Sequence, residues 1–280
     1  MEPGQTHFIT EDGTPLHHRC WLPVGEPKAV LVLIHGLSEH TGRYEALGQQ
    51  LSRAGYAVRG LDLRGHGLSG GDRIFIPSFA VYHDDVAAFL GRVRREHPGK
   101  PLFLFGHSMG GLVVALLATQ RDLDLCGLIL SAAAVRVSDG VAPTLRLFAR
   151  LAGILAPRLR IVTLRSAKLS RDPRVAADFE RDRLVYHGRM PNRTGAEILR
   201  ASRRVQRRLE SIRLPLLVLH GTGDEVTDPQ GSRQLVERAA SADKTLKLYD
   251  GLWHDLFHEP EKEQVTRDLI DWLEGRRTGC

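Results

Sequence analysis

A serine hydroxyl near neutral pH attacks a carbonyl carbon only when a base takes its proton and a carboxylate holds that base. Groups of these types stand in three separate stretches of this 280-residue chain. The first is Gly106-His107-Ser108-Met109-Gly110, entered from Leu102-Phe103-Leu104-Phe105 and followed by the apolar residues 112–118. A buried strand, a turn too sharp for side chains and a helix would put the Ser108 hydroxyl on the tip of that turn, the layout of a nucleophile elbow. The partners then come later in the chain, acid before base, each on a loop after a strand.

Those loops can be searched. After the apolar residues 215–219 lies His220-Gly221-Thr222-Gly223-Asp224-Glu225-Val226-Thr227-Asp228-Pro229. Asp224, in the glycine-containing turn just past the strand, is the acid. Asp228 precedes Pro229 and reads as a helix N-cap, and Glu225 should point elsewhere. After residues 245–249 lies Asp250-Gly251-Leu252-Trp253-His254-Asp255-Leu256-Phe257-His258. His254 is the base, whereas His258 precedes Glu259-Pro260 and reads as a cap of the last helix. His35, His66, His107 and His220 are expected to make hydrogen bonds within loops. The oxyanion of acyl transfer needs preorganised donors. The candidates are the backbone N–H of Met109, next to the serine, and that of Leu37, in His35-Gly36-Leu37.

The elements that must position these groups follow from the pattern. Residues 7–22 alternate and break at Asp12-Gly13, which predicts an antiparallel hairpin. Residues 29–34, 57–61, 102–105, 126–130, 215–219 and 245–249 read as strands, most of them continuous apolar runs buried on both faces of a parallel sheet. Helices are expected at 44–54, 78–97, 229–240 and 261–274, and after the serine. Alternating strands and helices imply an α/β fold with a mostly parallel central sheet and helices on both faces. The alternation stops after residue 133 for some 75 residues. Residues 133–208 are therefore expected to be an inserted, mostly helical cap, with 1–132 and 209–280 forming the core.

Charge is concentrated in that cap. The chain has a formal net charge of +6. Residues 133–208 hold 18 Lys and Arg against 6 Asp and Glu, and the remainder holds 21 against 27. No aromatic platform or recognition helix accompanies the basic segment, which sets it apart from a nucleic-acid surface. An anionic membrane surface fits better; solvated arginines on exposed helix faces are the alternative. Residues 144–156 form a mostly apolar helix with Arg146 and Arg150 on its polar edge, a pattern suited to a membrane interface or to burial within the cap. Phe148 and Leu151 on this helix are candidate contacts for an acyl chain. The histidines are scattered without metal spacing, and no cofactor motif is present. Cys20, Cys126 and Cys280 form no Cys-x-x-Cys and read as reduced thiols. Without the apolar middle of a signal peptide near Met1, the expected location is cytoplasmic, with peripheral contact at a membrane.

The motifs HGLSEHTGRY (35–44), LDLRGHGLSGG (61–71), FGHSMGG (105–111), LVLHGTGDEVTDP (217–229) and YDGLWHDLFHEP (249–260) resemble the monoacylglycerol lipase-like branch of the serine α/β-hydrolases. The resemblance runs from about residue 8 to residue 274 and is weakest in the cap. It implies an α/β-hydrolase fold, Ser108, Asp224 and His254 as a triad, and Leu37 and Met109 as the oxyanion hole. It places Glu39 and Arg43 near the polar leaving group; an ion pair fixing the Leu37 loop is the alternative role. Asp182-Arg183-Leu184-Val185 departs from the family's Asp-Pro-Leu-Val, and Phe179 stands where relatives often carry a tyrosine near the glycerol group. The expected substrate is a single-chain lipid ester, monoacylglycerol first, with lysophospholipids and simple esters as alternatives. Aminopeptidase and haloperoxidase activities share the triad, and a non-catalytic lipid-binding protein is the rival outside enzymology.

Overall fold

The computed structural model describes residues 6–136, 151–162 and 168–278. Its centre is a row of strands whose side chains are buried throughout: β3 (Ala29–Ile34), β4 (Tyr56–Leu61), β5 (Leu102–His107), β6 (Gly127–Ser131) and β9 (Leu216–Gly221). Continuous apolar runs such as Ala29-Val30-Leu31-Val32-Leu33-Ile34 suit this position, because both faces of a parallel sheet are covered. The hairpin of β1 (His7–Ile9) and β2 (Pro15–Trp21) adds antiparallel strands at one side, and β10 (Lys244–Tyr249) closes the other. The order is β1-β2-β4-β3-β5-β6-β9-β10, parallel from β4 to β10.

Two apolar layers flank the sheet. On one face lie α2 (Ala80–Glu96) and α3 (Met109–Ala118), with Val86, Phe89, Leu112 and Leu116 fully buried. On the other lie α1 (Glu45–Arg53) and α8 (Lys262–Glu274), with Leu51, Leu269 and Trp272 against Phe103 and Phe105. α3 is buried at every position, as its uniformly apolar sequence requires. α7 (Pro229–Arg238) begins at Asp228, whose side chain accepts from Gln230 N–H, the N-cap expected of an Asp before Pro.

Between β6 and β9 the chain leaves the sheet. The described part contains helical residues 151–155 (α4), α5 (Pro173–Arg181), α6 (Asn192–Gln206) and a ribbon of β7 (Arg160–Val162) with β8 (Met190–Pro191). The ribbon was not expected: its strands are too short to show alternation. Thr194 on α6 donates to Ile74 O at 2.7 Å and Tyr186 N–H donates to Ser38 O at 2.9 Å, tying this region to loops of the core. Cys20 is a free thiol, but Cys126 is disulfide-bonded, which corrects the reading of three reduced cysteines. Pairing depends on proximity in space, which sequence spacing did not reveal. Cys280 lies outside the described residues. Among the described residues no helix is long and apolar enough to cross a membrane.

The packing of α3 on the sheet sets a sharp test. A Cβ on Gly110 would collide with the carbonyl oxygens of Ile34 and His35. Gly110→Ala should therefore lower the unfolding free energy by on the order of 2–3 kcal/mol, read from urea denaturation. A stability equal to wild type would contradict the close approach.

Candidate active site

β5 carries the chain to the C-terminal edge of the sheet, and Ser108 follows with φ 52° and ψ −117°. A non-glycine residue held there costs on the order of 1–3 kcal/mol. The flanking glycines make the turn possible. A Cβ on Gly106 would lie 2.6 Å from Gly110 O. Ser108 N–H donates to Ser131 O on β6 at 2.9 Å, and Ala134 N–H donates to Ser108 O at 3.0 Å, so the neighbouring strand end clamps the turn.

The other groups come from neighbouring strand ends. His254 Nδ1–H donates to Asp224 Oδ2 at 2.8 Å, with both side chains buried. Asp224 Oδ1 accepts from Val226 N–H at 2.7 Å and Thr227 N–H at 3.0 Å. Burial alone would push His254 down and Asp224 up. Their mutual attraction and hydrogen bond outweigh it, holding His254 above the usual imidazole value and Asp224 well below the usual carboxylate range. The ring of His107 lies 4.8 Å from that of His254 and is pushed down to about 4, by burial first and then by His254.

Ser108, Met109, Leu37 and His254 line one cavity of about 430 Å³. A Cβ on Gly36 would lie 3.1 Å from Ser108 Cβ, so the loop after β3 rests directly on the serine. The facing wall is mostly apolar, with Leu169, Phe179, Met190 and Ile198. The structure thus brings Ser108, Asp224, His254, Leu37 and Met109 together, with Phe179 and Glu39 also in the wall. Arg43 and Leu151 are not in the wall, and Phe148 lies outside the described residues. α4 packs on α6 through Gly153, where a Cβ would lie 2.7 Å from Ala196 Cβ. That contact leaves Leu151, Ile154 and Leu155 exposed.

Glu39 and Arg43 belong to a buried charge network. Glu39 Oε1 accepts from Gly36 N–H at 2.5 Å and from Tyr44 Oη–H at 2.8 Å, while Oε2 lies 3.3 Å from Arg43 Nε. Arg43 donates to Asp255 Oδ2 at 3.0 Å, and its guanidinium stacks 4.8 Å from the Phe179 ring. Glu39 therefore both faces the cavity and holds the loop that carries Leu37. His258 does not cap the last helix. Its Nδ1–H donates to Asp255 Oδ1 at 2.8 Å and its Nε2–H to Arg43 O at 2.8 Å. Both partners are acceptors, so both ring nitrogens carry protons. Burial opposes that charge, but Asp255 holds His258 above the usual value, and Asp255 itself is held well below the carboxylate range. Two anions and two cations balance.

His35 and His66 make the local bonds expected of them; His107, at the end of β5, instead reaches Ser131 Oγ on β6 at 3.3 Å. His220 does more: its Nε2 lies 3.0 Å from the same Asp224 Oδ2. Sequence reasoning missed this role and that of Asp255, although both residues lie in the stretches already searched. Asp182 is also accounted for. Its Oδ2 accepts from His40 Nε2–H at 2.8 Å and its Oδ1 from Leu184 N–H at 2.9 Å, bonds that need no proline at position 183.

The strand order, the elbow on the central strand and the arrangement of loops at the C-terminal sheet edge define an α/β-hydrolase. The chain belongs to the serine aminopeptidase S33 family (Hydrolase_4), which it matches over residues 25–261, and within it to the monoacylglycerol lipase-like serine hydrolases. It is 37% identical to the monoacylglycerol lipase of Mycolicibacterium smegmatis over 95% of both chains. It is 35% identical to the human monoglyceride lipase over 96% of this chain and 90% of that one. The crystal structure of Paleococcus ferrophilus monoacylglycerol lipase superposes with a TM-score of 0.84 at 32% identity, covering 93% of this chain and 99% of that chain.

The buried network predicts how stability responds. Arg43→Met strands Glu39 and Asp255 and should cost about 3–5 kcal/mol in urea unfolding. The depressed Asp224 and Asp255 contribute stability that is complete above the ordinary carboxylate value of about 4 and is lost as pH falls. His254 and His258, which are raised, contribute in the opposite sense, fading as pH rises through their folded values. Unfolding free energy measured against pH should drop steeply on the acid side, and a flat acid limb would count against the network.

Proposed function

We propose that the chain hydrolyses single-chain lipid esters, monoacylglycerols first, releasing fatty acid and glycerol. The observation that carries the reading is the shared cavity. Ser108, His254 and the residues offering the Leu37 and Met109 N–H groups line one mostly apolar chamber. In the proposed reaction Ser108 Oγ attacks the ester carbonyl carbon while His254 Nε2 takes its proton. Asp224 keeps the imidazole proton on Nδ1, so that Nε2 presents a lone pair. The two N–H groups stabilise the oxyanion. The acyl carbon–oxygen bond then breaks, and glycerol leaves with the proton from His254. Water attacks the acyl-enzyme by the same route and frees the acid.

The cavity wall favours an ester over a peptide with a free α-amino group. Among the described residues its carboxylates are Glu39, Asp255 and Glu225. Each has a cation partner: Arg43 for the first two, and Lys168 at 2.9 Å for Glu225. None is left to hold an ammonium group. Full-length similarity to monoacylglycerol lipases supports the same choice.

Residues 133–208 act in this proposal as the cap over the serine and as its contact with anionic membranes. Leu155, 81% exposed, and Ile154 and Leu159 stand beside Arg158 and Arg160. An apolar surface with a basic edge suits the lipid headgroup boundary.

Ser108→Ala should lower kcat on a monoacylglycerol by on the order of 10⁴–10⁶ and abolish labelling by a fluorophosphonate. Wild-type turnover by that variant would remove the assignment. Binding to phosphatidylserine vesicles should weaken as salt rises, and Leu155→Glu should reduce it while hydrolysis of a soluble short-chain ester is unchanged. Equal binding to neutral and anionic vesicles would exclude the electrostatic part.

A further inference from the structure

We propose that His220 is a positioning residue of the acyl-transfer site, which occupies one lone pair of Asp224 Oδ2 and thereby directs and restrains the bond that the same oxygen makes to His254. The inference rests on the catalytic reading above.

The argument begins with the lone pairs of one carboxylate, about two per oxygen. Oδ1 of Asp224 is filled by the N–H groups of Val226 and Thr227. Oδ2 has three neighbours: His254 Nδ1 at 2.8 Å, His220 Nε2 at 3.0 Å and Thr227 Oγ1 at 2.7 Å. The threonine proton has another acceptor, Ala132 O at 3.0 Å. Thr227 Oγ1 also lies 3.3 Å from His220 Nε2 and 3.3 Å from His254 Nδ1, but the charged Oδ2 is nearer to both rings and the stronger acceptor, so the two imidazoles take the two sites on Oδ2.

The tautomer of His220 follows from its other nitrogen. Nδ1 lies 2.6 Å from Ser232 Oγ on α7, and both side chains are buried. A lone pair on Nε2 would face the Asp224 anion, so the proton sits on Nε2 and Nδ1 accepts from the serine hydroxyl. A chain then runs from Ser232 through His220 and Asp224 to His254. His220 lies on β9, inside the sheet, so it anchors the carboxylate to a fully buried strand.

A carboxylate that already receives one imidazole N–H is a weaker acceptor for the next. Removing His220 concentrates the charge of Asp224 on His254 and raises the proton affinity of the base. The other titratable groups facing His254 are His107 on β5, Glu39 on the loop after β3, and the adjacent Asp255. Among the described residues, the ion pair of His220 is with Asp224. None of these other groups bonds to His220, and substitution there leaves them in place.

The test is kcat/KM against pH on a soluble p-nitrophenyl ester, for the wild type, His220→Ala and His220→Gln, each shown to be folded by circular dichroism. The acid limb of His220→Ala should move up by roughly 0.5–1 pH unit, a three- to ten-fold change in proton affinity. His220→Gln keeps an N–H donor near the position of Nε2, and its limb should stay with the wild type. An unmoved limb in His220→Ala, whatever its rate, overturns the proposal, and so does a glutamine variant that shifts as far as alanine. If His220→Ala does not fold, His220→Leu removes the donor while keeping apolar volume at the site; its limb must then rise, and an unmoved limb overturns the proposal equally. Failure of the catalytic reading would show elsewhere, as turnover retained by Ser108→Ala.

Discussion

A carboxylate taken out of water must be matched by donors or cations, and the catalytic edge of this protein is arranged around that requirement. Asp224 is matched by two main-chain N–H groups and two imidazoles. Asp255, one residue after His254, is matched by Arg43 and His258. Glu39 is matched by Gly36 N–H, Tyr44 and Arg43. The three clusters meet at one wall of the cavity, and each secures a loop that has work to do. The first orients His254, the second fixes the segment that carries it, and the third fixes the loop beside Leu37. The same charge balance that makes the site stable leaves its polar groups committed, so the cavity presents little net charge to a substrate.

The serine itself is exposed by strain. A left-handed φ at Ser108 persists because β5 and α3 leave it no other path, and the glycines at 106, 110 and 111 let strand, turn and helix approach within contact distance. The penalty is local, while the restraint is spread over five fully buried strands. A close-packed interior does not relax around one turn.

Much of this was legible in the chain because it depends on residues near one another in sequence. Gly106 to Gly110 announced the elbow, and the glycine-bearing turn after residues 215–219 singled out Asp224. The continuous apolar runs placed the parallel strands. What stayed hidden depends on closure in three dimensions. His220 and Ser232 meet because β9 and α7 are adjacent, and His258 reaches Arg43 O across 215 residues. Arg59 interrupts the apolar run 57–61, and it is fully buried on β4 beside Glu96. The disulfide at Cys126 and the β7–β8 ribbon carry no periodic signal. Leu151 was placed on the apolar face of its helix, but Gly153 turns that helix so that Leu151 faces outward.

The loop after β3 joins the two halves of the problem, chemistry and substrate choice. Leu37 stands between Gly36, held from the core by Glu39, and Ser38, whose carbonyl accepts from Tyr186 of the inserted segment. Ser38 also has a left-handed φ of 68°, so its backbone is held rather than free. Two residues further, His40 accepts from Gly42 N–H at Nδ1 and donates from Nε2 to Asp182, which stands at the end of α5. α5 also carries Phe179, stacked on Arg43 and facing the cavity. The segment that carries Phe179 is thus bonded to the loop on the C-terminal flank of Leu37, at Ser38 and His40, while Glu39 of the core holds the other flank at Gly36. In the proposed function, α5 is thereby linked to the loop that carries Leu37, the residue assigned an oxyanion donor. On that proposal, substrate fit and stabilisation of the developing charge depend on one loop.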